Sequence, residues 1–205
     1  STPEATVTKN VKKRFIDAIS NALSQSLRVD EKVLLMGQDV AEYGGVFKIS
    51  DGFLSEFGEQ RIRNTPIIES GILGAALGLA LDGFKPIVEM QFADFVSCGM
   101  NQIIQNIAKS HYRWTQGINV TIRLPHGAGV GAGPFHSQSP ESWFMPHAGL
   151  KIIVPSTVED AQNMLYSAIL EPNPVLFFEH KRLYRSLRET VPVKAEWTDI
   201  HAARV

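Results

Sequence analysis

The chain has 205 residues, of which 44% are hydrophobic and 20% are charged, and this composition excludes an intrinsically disordered protein. Its 20 basic and 21 acidic residues give a net charge of −1, which favours neither nucleic acid nor a membrane surface as a partner. The single cysteine, Cys98, excludes an internal disulfide and is interpreted as a small buried residue. The longest apolar run, over 72–81, is too short to span a bilayer.

Helical and strand-like patterns alternate along the chain. Apolar residues at four-residue steps predict an amphipathic helix over 11–28, and further helices are predicted near 70–81, 98–113 and 158–170. Short apolar runs predict strands at 33–36, 86–92, 118–124, 151–154 and 174–179. Because continuously apolar strands separated by helices are typical of parallel sheets, the predicted fold class is α/β, with a doubly wound parallel sheet covered by helices on both faces.

Two long segments interrupt this alternation. Residues 40–64 are predicted to be a partly helical connection, and residues 125–150 an ordered loop with five glycines and four prolines. The run Gly127–Ala132 fits G-x-G-x-x-A, but Pro134 and polar residues follow where a dinucleotide site needs a helix. We therefore interpret these glycines as allowing a close approach of the backbone.

Glu69 has two interpretations. Pro66 and Glu69 suit the first turn of a helix, where an acid faces the positive end of the dipole. Alternatively, Gly71, Gly74 and Gly78 form a helix face nearly free of side chains, which favours close packing of a second backbone, including one from another subunit. An acid at such an interface would be partly desolvated and could hold or share a proton.

His136 ends the glycine-rich loop and also has two interpretations. It is either a structural or solvated histidine, or an acid/base group in an ordered loop. Ser137 and Ser139 lack a surrounding G-x-S-x-G, so a serine hydrolase is poorly supported. The six histidines contain no H-E-x-x-H pattern, which argues against catalytic zinc.

Several motifs together resemble one enzyme family. The motifs occur in this order: Gly37–Val40, Tyr43–Phe47, Asn64–Pro66, Glu69–Gly71, Met90–Phe95 and Phe135–Glu141. With them, the chain resembles the β-subunit of the thiamine-diphosphate-dependent first component of 2-oxo acid dehydrogenase complexes, and most of all the branched-chain (2-oxoisovalerate) member. The resemblance implies a transketolase-like pyrimidine-binding domain over 11–192, a linker or disordered N-terminus over 1–10, and a tail over 193–205 that leads to an absent C-terminal domain.

The resemblance also implies an activity and roles for individual residues. The reaction is the oxidative decarboxylation of a branched-chain 2-oxo acid with reductive acylation of a lipoyl group. Glu69 matches the glutamate that hydrogen-bonds the pyrimidine ring of the cofactor and promotes loss of a proton from its thiazolium carbon. Ile67, Gln91 and Phe95 match residues that line the pyrimidine, and His136 matches the histidine that assists acyl transfer to the lipoyl arm.

The implied cofactor is thiamine diphosphate with magnesium. The family's diphosphate–magnesium motif is not in this chain, so the resemblance implies an α-subunit or a fused α-like half that binds the metal, and an isolated chain that is inactive. Other implied partners are the lipoyl-bearing acyltransferase component and further subunits of a homo- or hetero-oligomer. A potassium ion is implied near Thr121, Glu171 and Asn173. The implied location is the bacterial cytoplasm or the mitochondrial matrix.

Three alternatives remain open. The chain could belong to a pyruvate dehydrogenase β-subunit, because the choice of substrate rests on resemblance alone. A transketolase or deoxyxylulose-phosphate synthase relative would need basic residues that bind phosphate, and 125–145 contains no lysine or arginine. A non-enzymatic interaction domain would not need Glu69 or His136, and both are present.

Overall fold

A computed structural model describes residues 9–202 of the chain, in which helices and strands alternate. The strands are β1 (Asn10–Arg14), β2 (Val33–Gly37), β3 (Ile62–Asn64), β4 (Lys85–Glu89), β5 (Thr121–His126), β6 (Lys151–Ile153), β7 (Val175–His180) and β8 (Arg188–Pro192). The α-helices are α1 (Phe15–Val29), α2 (Phe53–Phe57), α3 (Glu69–Leu81), α4 (Ser110–Trp114), α5 (Val158–Leu170) and α6 (Leu183–Ser186). Short 3₁₀ helices span Ala93–Gly99, Pro134–His136 and Glu141–Trp143, and a π-helix spans Gln102–Ile107.

Six strands form one parallel sheet in the order β3-β2-β4-β5-β7-β6. In the β2 register, Leu35 lies opposite Ile62 of β3 and Ile87 of β4. All of these pairs are parallel, so the carboxyl ends of the six strands share one edge of the sheet. The predicted α/β fold with a parallel sheet is confirmed.

The sheet is covered on both faces by apolar cores. On one face, Leu23 of α1 and Leu165 of α5 belong to the same buried cluster as Leu35. On the other face, Leu73 of α3 packs in a cluster with Met36. Leu35 and Met36 are neighbours in β2 and enter opposite cores because successive strand residues point to opposite faces.

The predicted helix over 11–28 is wrong at its start. Residues Asn10–Arg14 form β1, which pairs antiparallel with β8, and α1 begins at Phe15. Arg14 caps this start, because its backbone N–H and its guanidinium both donate to the carboxylate of Asp17. The four-residue spacing of apolar residues therefore begins at a strand residue, Val11, and continues into the α-helix.

The predicted helix over 98–113 is replaced by three shorter pieces. The 3₁₀ helix Ala93–Gly99 is followed by the π-helix Gln102–Ile107 and by α4. The wider π turn still places Ile103 and Ile107 in the core. Helical periodicity therefore predicted that this segment is helical, but neither its breaks nor its types of helix.

The two long connections contain more structure than the sequence indicates. Residues 40–64 include both α2 and the edge strand β3, which was not predicted. Residues 127–150 hold two 3₁₀ turns, and no helix longer than these.

The two predicted terminal segments differ in what the structure describes. Ala195 exchanges two hydrogen bonds with the side chain of Gln25, which anchors the start of the 193–205 segment. The predicted 1–10 linker lies almost entirely outside the described residues, and the helices that are described are all too short or too polar to cross a membrane.

Candidate functional site

The predicted site residues gather at the carboxyl edge of the sheet. Glu69 follows β3, Gln91 and Phe95 follow β4, and His136 lies in the loop after β5. Ligands of open parallel sheets bind outside the carboxyl ends of the strands, because the loops and helix N-termini there can converge on one molecule. The fold thus brings residues from three segments of the chain to the edge where a ligand would bind.

Glu69 is the first residue of α3 and is half-buried. The side-chain amide of Gln38, which directly follows β2, donates a hydrogen bond to Glu69 Oε1 over 3.3 Å. Gln38 itself is only 7% exposed, so it contacts the carboxylate from the buried side and leaves the other side of the carboxylate open. A carboxylate at a helix N-terminus is also favoured by the helix dipole. Glu69 is therefore held in place as a hydrogen-bond acceptor at the site edge.

An apolar surface lies next to Glu69. Ile67 is 83% exposed and Ile68, the N-cap of α3, is 53% exposed. Two adjacent exposed isoleucines beside a carboxylate offer both an apolar contact and a polar one to a flat ring.

Three aromatic rings form a cluster on the other side of the site. The His136 imidazole packs edge-to-face on Phe92, with 4.7 Å between centroids, and on Phe95, with 5.5 Å. Phe92 and Phe95 pack edge-to-face on each other. Phe95 and His136 are both half-buried, so the predicted ring-stacking residue and the predicted acid/base residue lie side by side.

Gln91 connects this cluster to the loop after β2. Its side-chain amide donates to Asp39 Oδ2 over 3.4 Å. Asp39 has a positive φ of 55°, a conformation that aspartate adopts more readily than most residues. Asp39 lies beside Gln38, so a chain of contacts runs from Glu69 through the β2 loop to Gln91.

The loop that carries His136 is fixed at two points. The backbone N–H of Gln138 donates to Asp94 Oδ1 over 3.1 Å, and the carbonyl of Gln138 accepts from the N–H of Gly127 over 3.0 Å. Gly127 has a φ of +83°, and a Cβ there would lie 2.8 Å from two ring carbons of His180. The prediction that a loop glycine permits close backbone approach is confirmed at Gly127.

Unsatisfied polar atoms are concentrated at the same edge. Within residues 9–202, five buried side-chain atoms lack a hydrogen-bond partner, and each belongs to a residue that ends or follows a strand at its carboxyl side. They are Thr65 Oγ1, Asp94 Oδ2, His126 Nε2, His136 Nδ1 and Lys181 Nζ. Because buried polar groups are nearly always paired in a completed structure, this edge is typical of a site that a ligand or another chain completes.

A cluster of buried charged side chains lies within strands β4, β5 and β7, next to this edge. Arg123, which is fully buried, donates to both carboxylate oxygens of Glu179 over 2.7 and 2.8 Å and to Glu89 over 2.5 Å. The hydroxyl of Tyr184 donates to Glu179 over 2.5 Å. Burial raises the pKa of Glu89, and the charge of Glu179 adds to this because two carboxylates share one guanidinium. Burial disfavours the charged form of Arg123 and by itself would lower its pKa, but the two carboxylates raise this pKa above the usual value.

His126, at the end of β5, is 3% exposed, and burial lowers its pKa to about 4. The neighbouring His180 and Lys181 contribute to this lowered pKa, and Glu179 opposes it. His126 Nδ1 lies 2.5 Å from Glu141 Oε1, which places the proton of a neutral imidazole on Nδ1.

The residues of the predicted potassium site lie at the opposite edge of the sheet. Thr121 begins β5 and donates to the carbonyl of Ala168 over 3.3 Å. Glu171 accepts from Lys151 Nζ over 2.9 Å and from the Asn173 side chain over 3.2 Å. An ammonium group already compensates the carboxylate, so these side chains fit a potassium ion poorly.

One further expectation is corrected. Cys98, interpreted as a buried residue, is exposed, because it lies on the outer side of the Ala93–Gly99 helix.

In the described chain, Gly71 and Gly78 are exposed, and a Cβ at Gly78 would meet no atom within 4 Å. No second backbone within residues 9–202 therefore packs at these two glycines, and the close packing of another subunit on this helix face stays a prediction.

Sequence reasoning did not assign Gln38, Phe92 or Asp94. All three lie inside the motifs that carried the resemblance, in Gly37–Val40 and Met90–Phe95. Their position close to the carboxyl ends of β2 and β4 is the signal that would have identified Gln38 and Asp94, whereas Phe92 lay inside the predicted strand 86–92.

Comparison with known proteins identifies related sequences. Residues 12–186 match the family described as the transketolase pyrimidine-binding domain. The 2-oxoisovalerate dehydrogenase subunit beta of Bacillus subtilis (strain 168) is 45% identical over 182 residues, which cover 87% of this chain and 55% of that protein. The pyruvate dehydrogenase E1 component subunit beta of the same organism is 44% identical over 202 residues, which cover 91% of this chain and 62% of that protein.

These matches support the resemblance to the β-subunits but do not separate the two substrates, because the two identities differ by a single percentage point. The chain spans 55–62% of the length of these curated relatives. A solved structure, a split-gene transketolase described as an inactive beta4 tetramer, has a TM-score of 0.65 and 20% identity, over 80% of this chain and 50% of that one. That likeness supports the fold.

Proposed function

Because the chain belongs to the family of transketolase pyrimidine-binding domains, we propose that it supplies the pyrimidine half of a thiamine diphosphate site in the first component of a 2-oxo acid dehydrogenase complex. The observation that carries this proposal is the position of Glu69. It stands at the start of α3, held by Gln38, on the edge where buried polar atoms lack partners. A cofactor with a flat polar ring would complete such an edge.

The residues of this edge fit the ring. Glu69 would share a proton with a ring nitrogen of the pyrimidine, donating the hydrogen bond while its carboxyl group holds the proton and accepting it once the ring does. Ile67 and Phe95 would contact the ring faces. Gln91, oriented by Asp39, would add a polar contact. When bound, thiamine diphosphate supplies the electron sink for loss of CO₂ from a 2-oxo acid.

His136 would act at a later step. Its ring is oriented by Phe92 and Phe95, and its Nδ1 is buried without a partner. A half-buried imidazole beside the cofactor ring would hold and release a proton as the acyl group passes to a lipoyl thiol.

The substrate proposal is a branched-chain 2-oxo acid of the 2-oxoisovalerate type, with pyruvate as the alternative. Both are supported by relatives of similar identity. A transketolase-type sugar phosphate is less well supported, because 125–145 offers no lysine or arginine for a phosphate.

The proposed partners follow from what this chain lacks. An α-subunit or fused α-like half would bind the diphosphate and magnesium, and the lipoyl-bearing acyltransferase would take the acyl group. The exposed face of α3 around Gly71 and Gly78 would contact another subunit, because small residues allow helices to approach closely. The isolated chain would then hold half a site and be inactive.

The test uses the full-length protein assembled with its α-like partner. CO₂ release from 3-methyl-2-oxobutanoate and from pyruvate is measured with thiamine diphosphate and magnesium, in wild type and Glu69→Gln. The expected loss in the variant is at least about 100-fold, since general acid–base groups contribute at that scale. Glu159→Gln, which changes an acid in the first turn of α5, is the matched control for a helix-start effect.

The outcomes separate the alternatives. Loss in Glu69→Gln with retention in Glu159→Gln supports the proposal, and the two wild-type rates decide the substrate. Equal activity of Glu69→Gln and wild type would refute the role of Glu69. Cofactor binding without turnover of either acid would favour a transketolase-type substrate.

A further inference from the structure

Two oppositely charged side chains are buried beneath the loop that carries His136. Asp94 is 5% exposed and Lys181 is 4% exposed, and Asp94 Oδ2 and Lys181 Nζ both lack a hydrogen-bond partner. Buried charges without a partner are costly, so they are retained where a specific arrangement depends on them.

Asp94 and Lys181 act on each other electrostatically. Burial lowers the pKa of Lys181, and the charge of Asp94 opposes this and favours the ammonium form. The two residues come from different strand ends, since Asp94 follows β4 and Lys181 follows β7. Their attraction therefore joins two segments across the carboxyl edge, with β5 between them.

Each of the two residues also contacts the surroundings of His136. Asp94 Oδ1 accepts from the N–H of Gln138, two residues after the histidine. Lys181 Nζ lies 5.3 Å from the centroid of the Phe92 ring, the same ring that packs on His136 at 4.7 Å. The Lys181 N–H donates to the carbonyl of His126, where the loop begins.

We propose that Asp94 and Lys181 are positioning residues that hold the 127–139 loop and the Phe92 ring so that His136 meets the acyl acceptor in one orientation. Asp94 fixes the loop backbone after His136, and Lys181 fixes the aromatic ring on which the imidazole rests. The inference rests on the proposed function for the step it names, but the ordering of the loop is independent of that step.

The first measurement is hydrogen–deuterium exchange of the 127–139 segment in the full-length protein assembled with its α-like partner. Asp94→Ala removes both the charge and the acceptor for Gln138, whereas Asp94→Asn keeps an acceptor oxygen. The expected result is about 10-fold faster exchange in Asp94→Ala and Lys181→Met, partly restored in Asp94→Asn. Asp30→Asn is the control, because it breaks an acid–lysine pair with Lys85 that lies at the amino edge of the sheet.

The second measurement separates the two half-reactions. One assay follows reductive acylation of a lipoyl domain, and the other follows decarboxylation with an artificial electron acceptor. In Asp94→Ala and Lys181→Met, the first rate is expected to fall about 10-fold more than the second, because a small displacement of His136 affects the step in which His136 acts. In a His136→Gln background, Asp94→Ala should cause no further loss of acylation. A structural defect alone would lower both half-reactions together.

Unchanged loop exchange, equal loss of both half-reactions, or additive loss with His136→Gln would each overturn the inference. Should Lys181→Met fold poorly, the double variant Asp94→Asn/Lys181→Met tests whether the two side chains are paired. If they are, removing both charges should give a higher thermal midpoint than Lys181→Met alone. Purely additive destabilisation would contradict the pairing. A wild-type enzyme without turnover of any 2-oxo acid would refute the proposed function, and the exchange data would still decide whether these residues position the loop.

Discussion

Gly99 packs directly against the first turn of α3, and a Cβ at this position would lie 3.2 Å from the carbonyl oxygen of Glu69 and would overlap the side chain of Leu73. The close backbone approach that glycine makes possible therefore occurs beside the candidate catalytic carboxylate. The same short helix carries Phe95 at its other end, so this contact sets the distance between Glu69 and the aromatic cluster.

Gly99→Ala should therefore destabilise the protein and lower activity together. The added methyl group overlaps Leu73, and overpacking of this kind typically lowers the free energy of unfolding by about 1–3 kcal/mol. Urea unfolding measures the change. Cys98→Ala is the control, since Cys98 is the exposed neighbour of Gly99 and its truncation should change the free energy of unfolding by less than about 0.5 kcal/mol. Equal stability of the two variants would contradict the close contact at Gly99.

The Arg123 cluster should respond differently to the loss of each carboxylate. Glu179→Gln removes the charge that pairs with two guanidinium nitrogens and accepts from Tyr184, and we expect a loss of about 3 kcal/mol. Glu89→Gln keeps one acceptor for Arg123 and should cost about 1 kcal/mol. Chemical unfolding at pH 7 tests this order, and the reverse order would show that Glu89 carries the essential charge.

Glu89 also predicts a pH dependence. Because burial raises its pKa in the folded state above the value of 4.5, the folded protein binds a proton that the unfolded chain releases. This contribution to stability is complete below 4.5 and is lost as the pH rises through the folded pKa. Wild type should thus lose stability relative to Glu89→Gln as the pH increases above 4.5, whereas the exposed Glu56→Gln should show no such trend.

His126 predicts the opposite trend at acidic pH. Burial lowers its pKa from 6.5 to about 4, so the folded state keeps the imidazole neutral while the unfolded chain is protonated. The stability that His126 contributes is present above pH 6.5 and is lost as the pH falls toward 4. Unfolding midpoints at pH 7 and pH 5 should differ less in His126→Phe than in wild type. His111→Phe, at an exposed histidine, should leave the difference unchanged.

Local signals in the sequence predicted the central elements well. Helix α5 has the predicted bounds, 158–170, because Thr157 caps it through a hydrogen bond from the N–H of Asp160. Strand β1 was missed because its pairing is with β8, where Asn10 lies opposite Pro192, and periodicity carries no information about so distant a partner. Edge strand β3 was missed because its three residues, Ile62–Asn64, are too few to show an alternation.

The site was predicted through resemblance rather than through spacing. The residues Glu69, Gln91, Phe95 and His136 do meet at one edge, but their assignment to a cofactor stays a prediction. Contacts such as Gln38 with Glu69 join different strand ends and have no signature in the linear sequence. The Arg123 cluster did have one, because Glu89, Arg123 and Glu179 are charged residues inside apolar runs that were predicted as strands. The register places Glu89 opposite Arg123, and Glu179 lies two residues beyond the residue opposite Arg123 in β7.

The last prediction concerns monovalent cations at the amino edge of the sheet. Lys151 Nζ lies 2.9 Å from Glu171, and its ammonium group together with Asn173 lowers the pKa of this carboxyl although burial alone would raise it. Since the carboxylate already has a cation, exchanging KCl for NaCl at equal ionic strength should not change the thermal midpoint of wild type. Lys151→Met should lower stability by about 1 kcal/mol, because it leaves a partly buried carboxylate without its partner. A higher midpoint in potassium than in sodium would show instead that backbone oxygens around Thr121 bind the ion despite the lysine.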